Sequence, residues 1–347
     1  VVTVAVVALA AFGVVGSAAW LGRAVGERVG GGGGNGVSSV EPGRDVEIVI
    51  PEGASARDIG ELLELEGVVR SGGQFTAAVR AAGVGASLRA GRYELVTGMT
   101  PDQVIEVLQR GPVVAVFDVT VVEGLRVDEI IDVLASTSGI SRDLFEDALL
   151  SGQVDSSLRE MPETVTLSDW EGLLFPDTYR FSERATAADM LNRMASTMEE
   201  RMASIDWSGL EAAGFTPYQG IVIASLIESE VRVADERPLV SSVVRNRLAD
   251  GQRLEIDATV LYALGTRDVA LFDREVASAY NTYAVDGLPP TPISAPGRAA
   301  LEAAAAPADT EFRYYVLSSL DGSHTFSVTF EEHQAAVEKA RADGVLP

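Results

Sequence analysis

The chain opens on an unbroken apolar run: Val1 to Leu21 carries no charge in 21 residues. A helix of that length is ~30 Å long, enough to span the hydrocarbon core of a bilayer. The run is longer than the apolar segment of about 7–15 residues in a cleaved signal peptide. It predicts a single transmembrane anchor over residues 1–22, with the remainder of the chain on the extracytoplasmic side. Apolar patterning then stops. Residues 23–44 contain five consecutive glycines, Gly30 to Gly34, then Asn35, Gly36 and two serines. This composition predicts a flexible linker.

From Val46 the pattern becomes alternating, then helical, and it recurs. VEIVIPEGASARDIGELLELEG from Val46 aligns with VTVVEGLRVDEIIDVLA from Val119 at an offset of 71, placing Glu52 on Glu123, Gly53 on Gly124 and Ile59 on Ile130. RYELVTGMTPDQVIEVLQRG from Arg92 is a looser third copy. Each reads as a strand, a glycine turn and a helix. Units this short cannot enclose a core alone, so the copies are expected to pack on one another. In the third copy Thr100, Pro101 and Gln103 form a capping-box signature. The β-α-α-β order over residues 45–112 resembles LysM-like glycan-binding modules. Residues 113–347 read as the main domain, with 113–170 supplying the second β/α unit and connecting helices. From Leu144 to Gly214 the pattern is mostly helical, broken at Met161–Ser168 and at GLLFPDTYRF (Gly172–Phe181), where Phe175-Pro176-Asp177 reads as a core-packing turn. The fold class is therefore α+β: an N-terminal transmembrane helix, small β/α modules, then a mixed α/β domain.

Within that domain Thr216-Pro217-Tyr218-Gln219 opens a helix, GIVIASLIESEVRVADE. Gly220 to Ile227 is apolar on every side except Ser225, as expected of a buried helix. Glu228 comes directly after. Helical spacing places it with Ala224, Ser225, Val231 and Arg232. Burial raises a carboxyl's pKa, which suits a general acid. Pairing with Arg232 is the structural alternative. Glu230 lies about 160–200° around the helix, so the two carboxylates cannot share a cleft and one of them is structural.

Downstream, YNTYAVDGLPPTPISAPG (Tyr280–Gly297) combines four prolines, two glycines and two tyrosines with Asn281 and Thr282. Prolines lower the entropy lost on binding, and tyrosine offers a ring face and a hydroxyl suited to sugars. A rigid structural loop explains the same composition. Tyr280, Asn281, Thr282, Tyr283 and, on the helix, Ser225 are the candidate substrate-binding residues. Arg313–Ser319 reads as a strand, Asp321-Gly322 as a hairpin turn, and a second strand holds His324 and Phe326. Thr329 and Glu332 cap the last helix.

Composition narrows the chemistry. The formal net charge is −24 and the pI about 4.4, which argues against nucleic-acid binding. There is no cysteine, and the two histidines, His324 and His333, match no metal-site spacing. Phosphate-binding glycine loops, HExxH and GxSxG are absent. No cofactor or metal is expected, and carboxylate acid/base chemistry is what is left.

Six ordered stretches carry a wider resemblance. They are EGLLFPDTYRF at Glu171, IASLIESE at Ile223, ERPLVSSVVRNRL at Glu236, LEIDATVLYALG at Leu254, YNTYAVDGLPPTPISAPG at Tyr280 and YYVLSSLDGSHTFSVTFEEH at Tyr314. Together they resemble the endolytic peptidoglycan transglycosylases of the YceG-like (MltG) family. Ser229, Ala258 and Val328 depart from residues frequent in that family. The resemblance implies that Glu228 is the catalytic glutamate. It also implies that glycan strands are cut at the MurNAc-β-1,4-GlcNAc bond by the sugar's own 6-hydroxyl, leaving 1,6-anhydro ends and terminating elongation. Peptidoglycan strands are then the substrate, and cell-wall synthases are the candidate protein partners. Two rivals stay open: a muramidase using Glu230, Glu236 or Asp257 as a second carboxylate, and a non-catalytic glycan-binding scaffold.

Overall fold

The computed structural model describes residues 42–346. The predicted anchor at 1–22 and the linker as far as residue 41 lie outside the described residues. Among the described residues, no helix is long and apolar enough to cross a membrane. The chain divides into two compact units, one ending at Val113 and one beginning at Val114.

The first unit runs β1 (Asp45–Ile50), α1 (Ala56–Leu65), α2 (Gly72–Ala82), β2 (Gly91–Val96) and α3 (Pro101–Arg110). Ser55 and Asp58 close a capping box on α1, and Thr100 and Gln103 close the predicted one on α3 behind Pro101. β1 and β2 pair antiparallel with Ile48 opposite Tyr93. Alternation sends Ile48, Ile50, Tyr93 and Leu95 into one core with Leu63, Phe75, Val104 and Leu108. α1 and α2 meet through two glycines: a Cβ on Gly60 would stand 2.6 Å from the Gly72 carbonyl oxygen.

The second unit begins with β3 (Val116–Thr120), α4 (Val127–Ser138) and α5 (Arg142–Leu150). Next come β4 (Thr178–Ser182), α6 (Ala187–Ala203), α7 (Ser208–Ala212) and α8 (Pro217–Glu230). After these stand α9 (Arg237–Ala249), α10 (Asp257–Ala263), α11 (Arg298–Ala305), the hairpin β5 (Tyr314–Leu317) and β6 (His324–Ser327), and α12 (Phe330–Ala342).

The expectation that the three strand–turn–helix copies pack on one another is corrected here. The first and third copies pair, but β3 pairs antiparallel with β4, Asp118 facing Arg180. β4 lies in the stretch whose sequence reads as a break. It alternates, burying Tyr179 and Phe181 and exposing Thr178 and Arg180, and so offers β3 a complete partner. Phe175 packs as expected, buried, with the Arg201 guanidinium 5.2 Å above its ring.

α8 is the central element. Gly220 through Ile227 is buried throughout, as its all-round apolar sequence requires. Pro217 starts the helix and Thr216 caps it with Gln219. The Trp207 ring presses so closely on Gly220 that a Cβ there would collide with it. Surrounding helices bury Met190, Met194 and Met198 from α6, Val240 and Val244 from α9, and Ala300, Leu301 and Ala304 from α11 in the same core.

Candidate active site

α8 ends at Glu230, and Val231 turns to extended backbone (φ −99°, ψ 122°). Val231 and Arg232 therefore leave the face that helical spacing assigned to Glu228. Among the described residues, Glu228 and Arg232 form no ion pair. The last turn of α8 instead carries two carboxylates into two different surroundings.

Glu228 meets backbone. Its Oε2 accepts the N–H of Gly297 at 3.0 Å, and Gly297 is the N-cap of α11, a helix with no side-chain cap. The Glu123 carboxylate stands on the other side of Gly297. The turn carrying Glu123 is tied down by Gly124 N–H to Ala295 O at 2.8 Å and Ala295 N–H to Leu125 O at 2.7 Å. Burial raises the pKa of Glu228, the Gly297 N–H opposes that, Glu123 adds to it and Arg237 opposes it. A carboxylate at an otherwise uncapped helix N-terminus satisfies an orphan N–H and the helix dipole. Glu228 thus joins the end of α8 to the start of α11.

Glu230 meets side chains. Its Oε2 accepts the Tyr315 hydroxyl at 3.1 Å from β5. Burial raises its pKa and Asp257 adds to this. The Tyr315 hydroxyl, His324 and the Ala258 N–H oppose it. Two separate segments meet it at the end of α8, the start of α10 and the β5–β6 hairpin, and the 280–283 loop reaches Asp257 behind them. Each is anchored. Asn246 Nδ2 donates to the carbonyls of Thr310 and Phe312 at 2.8 and 2.9 Å. Arg247 binds Arg313 O at 2.6 Å and Leu254 O at 2.7 Å, fixing the hairpin and the approach to α10 against α9. Glu236 Oε1 accepts the His324 N–H at 2.9 Å, and Oε2 meets His324 Nδ1 at 2.7 Å.

The residues expected to contact substrate, on the loop and on α8, make the following contacts. Asn281 is fully buried. Its Nδ2 donates to Arg274 O and Val276 O, and its Oδ1 accepts the Tyr283 N–H at 3.0 Å. Thr282 is buried too. Its hydroxyl accepts the Ile256 N–H at 2.9 Å and its carbonyl the Glu255 N–H at 3.1 Å. Glu255 is the one non-glycine residue with positive φ among the described residues, at 53°. Such a conformation costs on the order of 1 kcal/mol and needs this support. Tyr280 is half-buried, its hydroxyl on Thr291 and its ring 4.8 Å from Tyr262. Tyr283 reaches the surface, its hydroxyl 2.5 Å from Asp257 Oδ1 and the Arg274 guanidinium 4.2 Å from its ring centre. Ser225 is fully buried, with its hydroxyl accepting the Ile293 N–H at 3.1 Å. Ser225, Asn281 and Thr282 therefore bind backbone inside the unit. Tyr283 and exposed Asp257 are what the loop and α10 present toward the surface.

The match to known proteins is extensive. The sequence fits the YceG-like family over residues 48–339. The chain belongs to the YceG-like family. It is 32% identical to the endolytic murein transglycosylase of Bacillus subtilis (strain 168), covering 85% of this chain and 84% of that protein. It is 27% identical to the protein of the same name from Streptococcus pneumoniae (strain ATCC BAA-255 / R6), covering 84% of this chain and 58% of the other. A crystal structure of a YceG-like protein from Listeria monocytogenes superposes with a TM-score of 0.56 at 28% identity, covering 84% of this chain and 99% of that one.

Sequence reasoning passes over several residues of this site. Tyr315 and His324 lie in one of the six motifs but read as strand residues. Glu236 and Asp257 enter only as second carboxylates for a hydrolase, and Glu123 only as a position in a repeat. Polar residues inside otherwise apolar strand and helix patterns are the available signal.

Proposed function

We propose that this YceG-like chain is an endolytic peptidoglycan transglycosylase in which Glu230, in place of Glu228, is the acid and base. The names of its relatives support the activity. The assignment is carried by one observation, the Tyr315 hydroxyl on Glu230 inside a cluster of Asp257, Tyr283 and His324. Both glutamates have raised pKa values, so protonation alone does not choose between them. Surroundings do: Glu230 takes the Tyr315 hydroxyl as well as the Ala258 N–H, beside an aromatic hairpin of the kind that suits a sugar, whereas the one hydrogen bond to Glu228 comes from a backbone N–H.

In the reaction Glu230 gives its proton to the glycosidic oxygen as the C1–O bond of the muramyl sugar breaks. The 6-hydroxyl oxygen of that sugar then bonds to C1, and its proton returns to Glu230. Atoms balance without water, and the product carries a 1,6-anhydro end. A hydrolase would need a water and a second carboxyl as base or nucleophile.

Within the same reading, the first unit adds glycan affinity in the manner of a LysM-like module. The run at residues 1–22 holds the enzyme at the cell membrane with both units outside, beside the synthases that supply its strands. Mass spectrometry of strands digested by the full chain tests the reaction: anhydro ends support it, and reducing ends indicate a muramidase. Glu230→Gln is expected to lose roughly 10²–10⁴-fold in turnover, the usual worth of general acid/base catalysis, and Glu228→Gln to stay within about tenfold. The reverse ranking restores Glu228 as the catalytic group. Glycan binding with no cleavage by the wild-type chain supports the scaffold reading.

A further inference from the structure

Glu230 stands between groups of opposite influence, and both are held in place by partners that do no chemistry themselves. His324 is the first residue of β6. Glu236, itself buried at 8% exposure, grips it twice, through the backbone N–H at 2.9 Å and through Nδ1 at 2.7 Å. A carboxylate on Nδ1 fixes the hydrogen there and the plane of the ring. That ring meets Tyr315 edge-on, centroids 5.5 Å apart at 86°, and the Tyr315 hydroxyl lies on Glu230. Asp257 is the first residue of α10 and precedes Ala258, whose N–H binds Glu230; it is pinned by the Tyr283 hydroxyl and by the supported backbone at Glu255.

We propose that His324 and Asp257 are positioning residues that hold Glu230 between its two protonation states, so that one carboxyl serves first as acid and then as base. This rests on the assignment of Glu230 above. The need arises from the chemistry. A lone carboxyl must release a proton to the leaving oxygen and later recover one from the 6-hydroxyl. A neighbour that favoured only the neutral form would make it a poor donor, and one that favoured only the anion would leave it without a proton to give. Asp257 works for the neutral form and His324, when protonated, for the anion. The other groups facing this set are Tyr315 from β5, Arg247 from α9 beside Tyr315, Tyr283 through Asp257, and Glu236 against His324.

The pH profile of kcat/KM separates this from a structural role, because its alkaline limb reports loss of the proton from the free enzyme's acid. His324→Asn keeps an N–H for Glu236 where Nδ1 stands and removes the cation. Asp257→Asn keeps an acceptor for Tyr283 and removes the anion. Removing His324 raises the pKa of Glu230, so the limb is expected to move up by about 1 pH unit. Removing Asp257 lowers that pKa, so the limb is expected to move down by a similar amount. If His324→Asn fails to fold, His324→Gln, which also removes the cation and keeps an N–H, replaces it and must also move the limb up. A limb that stays put, or moves the same way in both variants, while Glu230→Gln is inactive, overturns this inference and leaves Glu230 in place. An active Glu230→Gln overturns the assignment beneath it.

Discussion

The carboxylate of Glu228 and the backbone N–H of Gly297 meet at 3.0 Å, joining residues far apart in sequence at the junction of α8 and α11. Gly297 has ordinary extended backbone (φ −76°, ψ 170°), so it is not glycine for reasons of conformation. A Cβ there would meet the carboxylate end of Glu123, an exposed side chain that can swing aside. Gly297→Ala is therefore expected to cost no more than about 1 kcal/mol, the low end of overpacking, and to leave the slope of urea unfolding unchanged. A loss well beyond that would mean that Glu123 is held firmly at this position.

Asn281 makes three hydrogen bonds while fully buried. Asn281→Ala leaves the carbonyls of Arg274 and Val276 without that donor, a loss of about 1–3 kcal/mol per unsatisfied group. Stability and cleavage should fall together, since the loop that presents Tyr283 to Asp257 loosens. Reduced cleavage at unchanged thermal stability would return Asn281 to the substrate surface.

Glu171 gives stability a pH dependence of its own. It is buried at 3% exposure beneath the start of α4, where Val127 N–H and the Tyr262 hydroxyl reach its two oxygens at 3.1 and 3.2 Å. Burial pushes its pKa up to about 8, from the ordinary 4.5. Between those values the folded chain binds more protons than the unfolded one, so stability falls as pH rises through that window. Glu171→Gln, neutral at every pH, should lose less stability between pH of about 5 and about 8 than the wild type does. Urea midpoints at both pH values measure this, and equal losses in the two proteins would acquit Glu171.

Much of the fold is readable locally. The capping boxes at Thr100, Thr216 and Thr329 all form, with proline opening α3 and α8. The Asp321-Gly322 turn joins two strands, and the run after Gly220 is buried because every face of it is apolar. Such features depend on residues three or four apart, where the pattern contains the physics. β4 escapes a local reading because proline and glycine before it mask a five-residue alternation.

Residue order alone implies that a buried helix delivers glutamates at its end, that Glu228 and Glu230 face different ways, and that carboxylate chemistry is what this chain offers. It could not decide which partners each glutamate would meet. A helix apolar all round has no outward face to distinguish, so spacing relates its residues to one another but to nothing else. That decision came from partners 69 and 85 positions away, Gly297 for Glu228 and Tyr315 for Glu230. The same holds for the YNTY stretch, whose composition suited a sugar but whose Thr282 turns inward to brace the strained approach to α10 and whose Asn281 turns inward to bind the carbonyls of Arg274 and Val276. Contacts at that distance arise from how helices and hairpin pack around α8, and no local pattern in the chain encodes that packing.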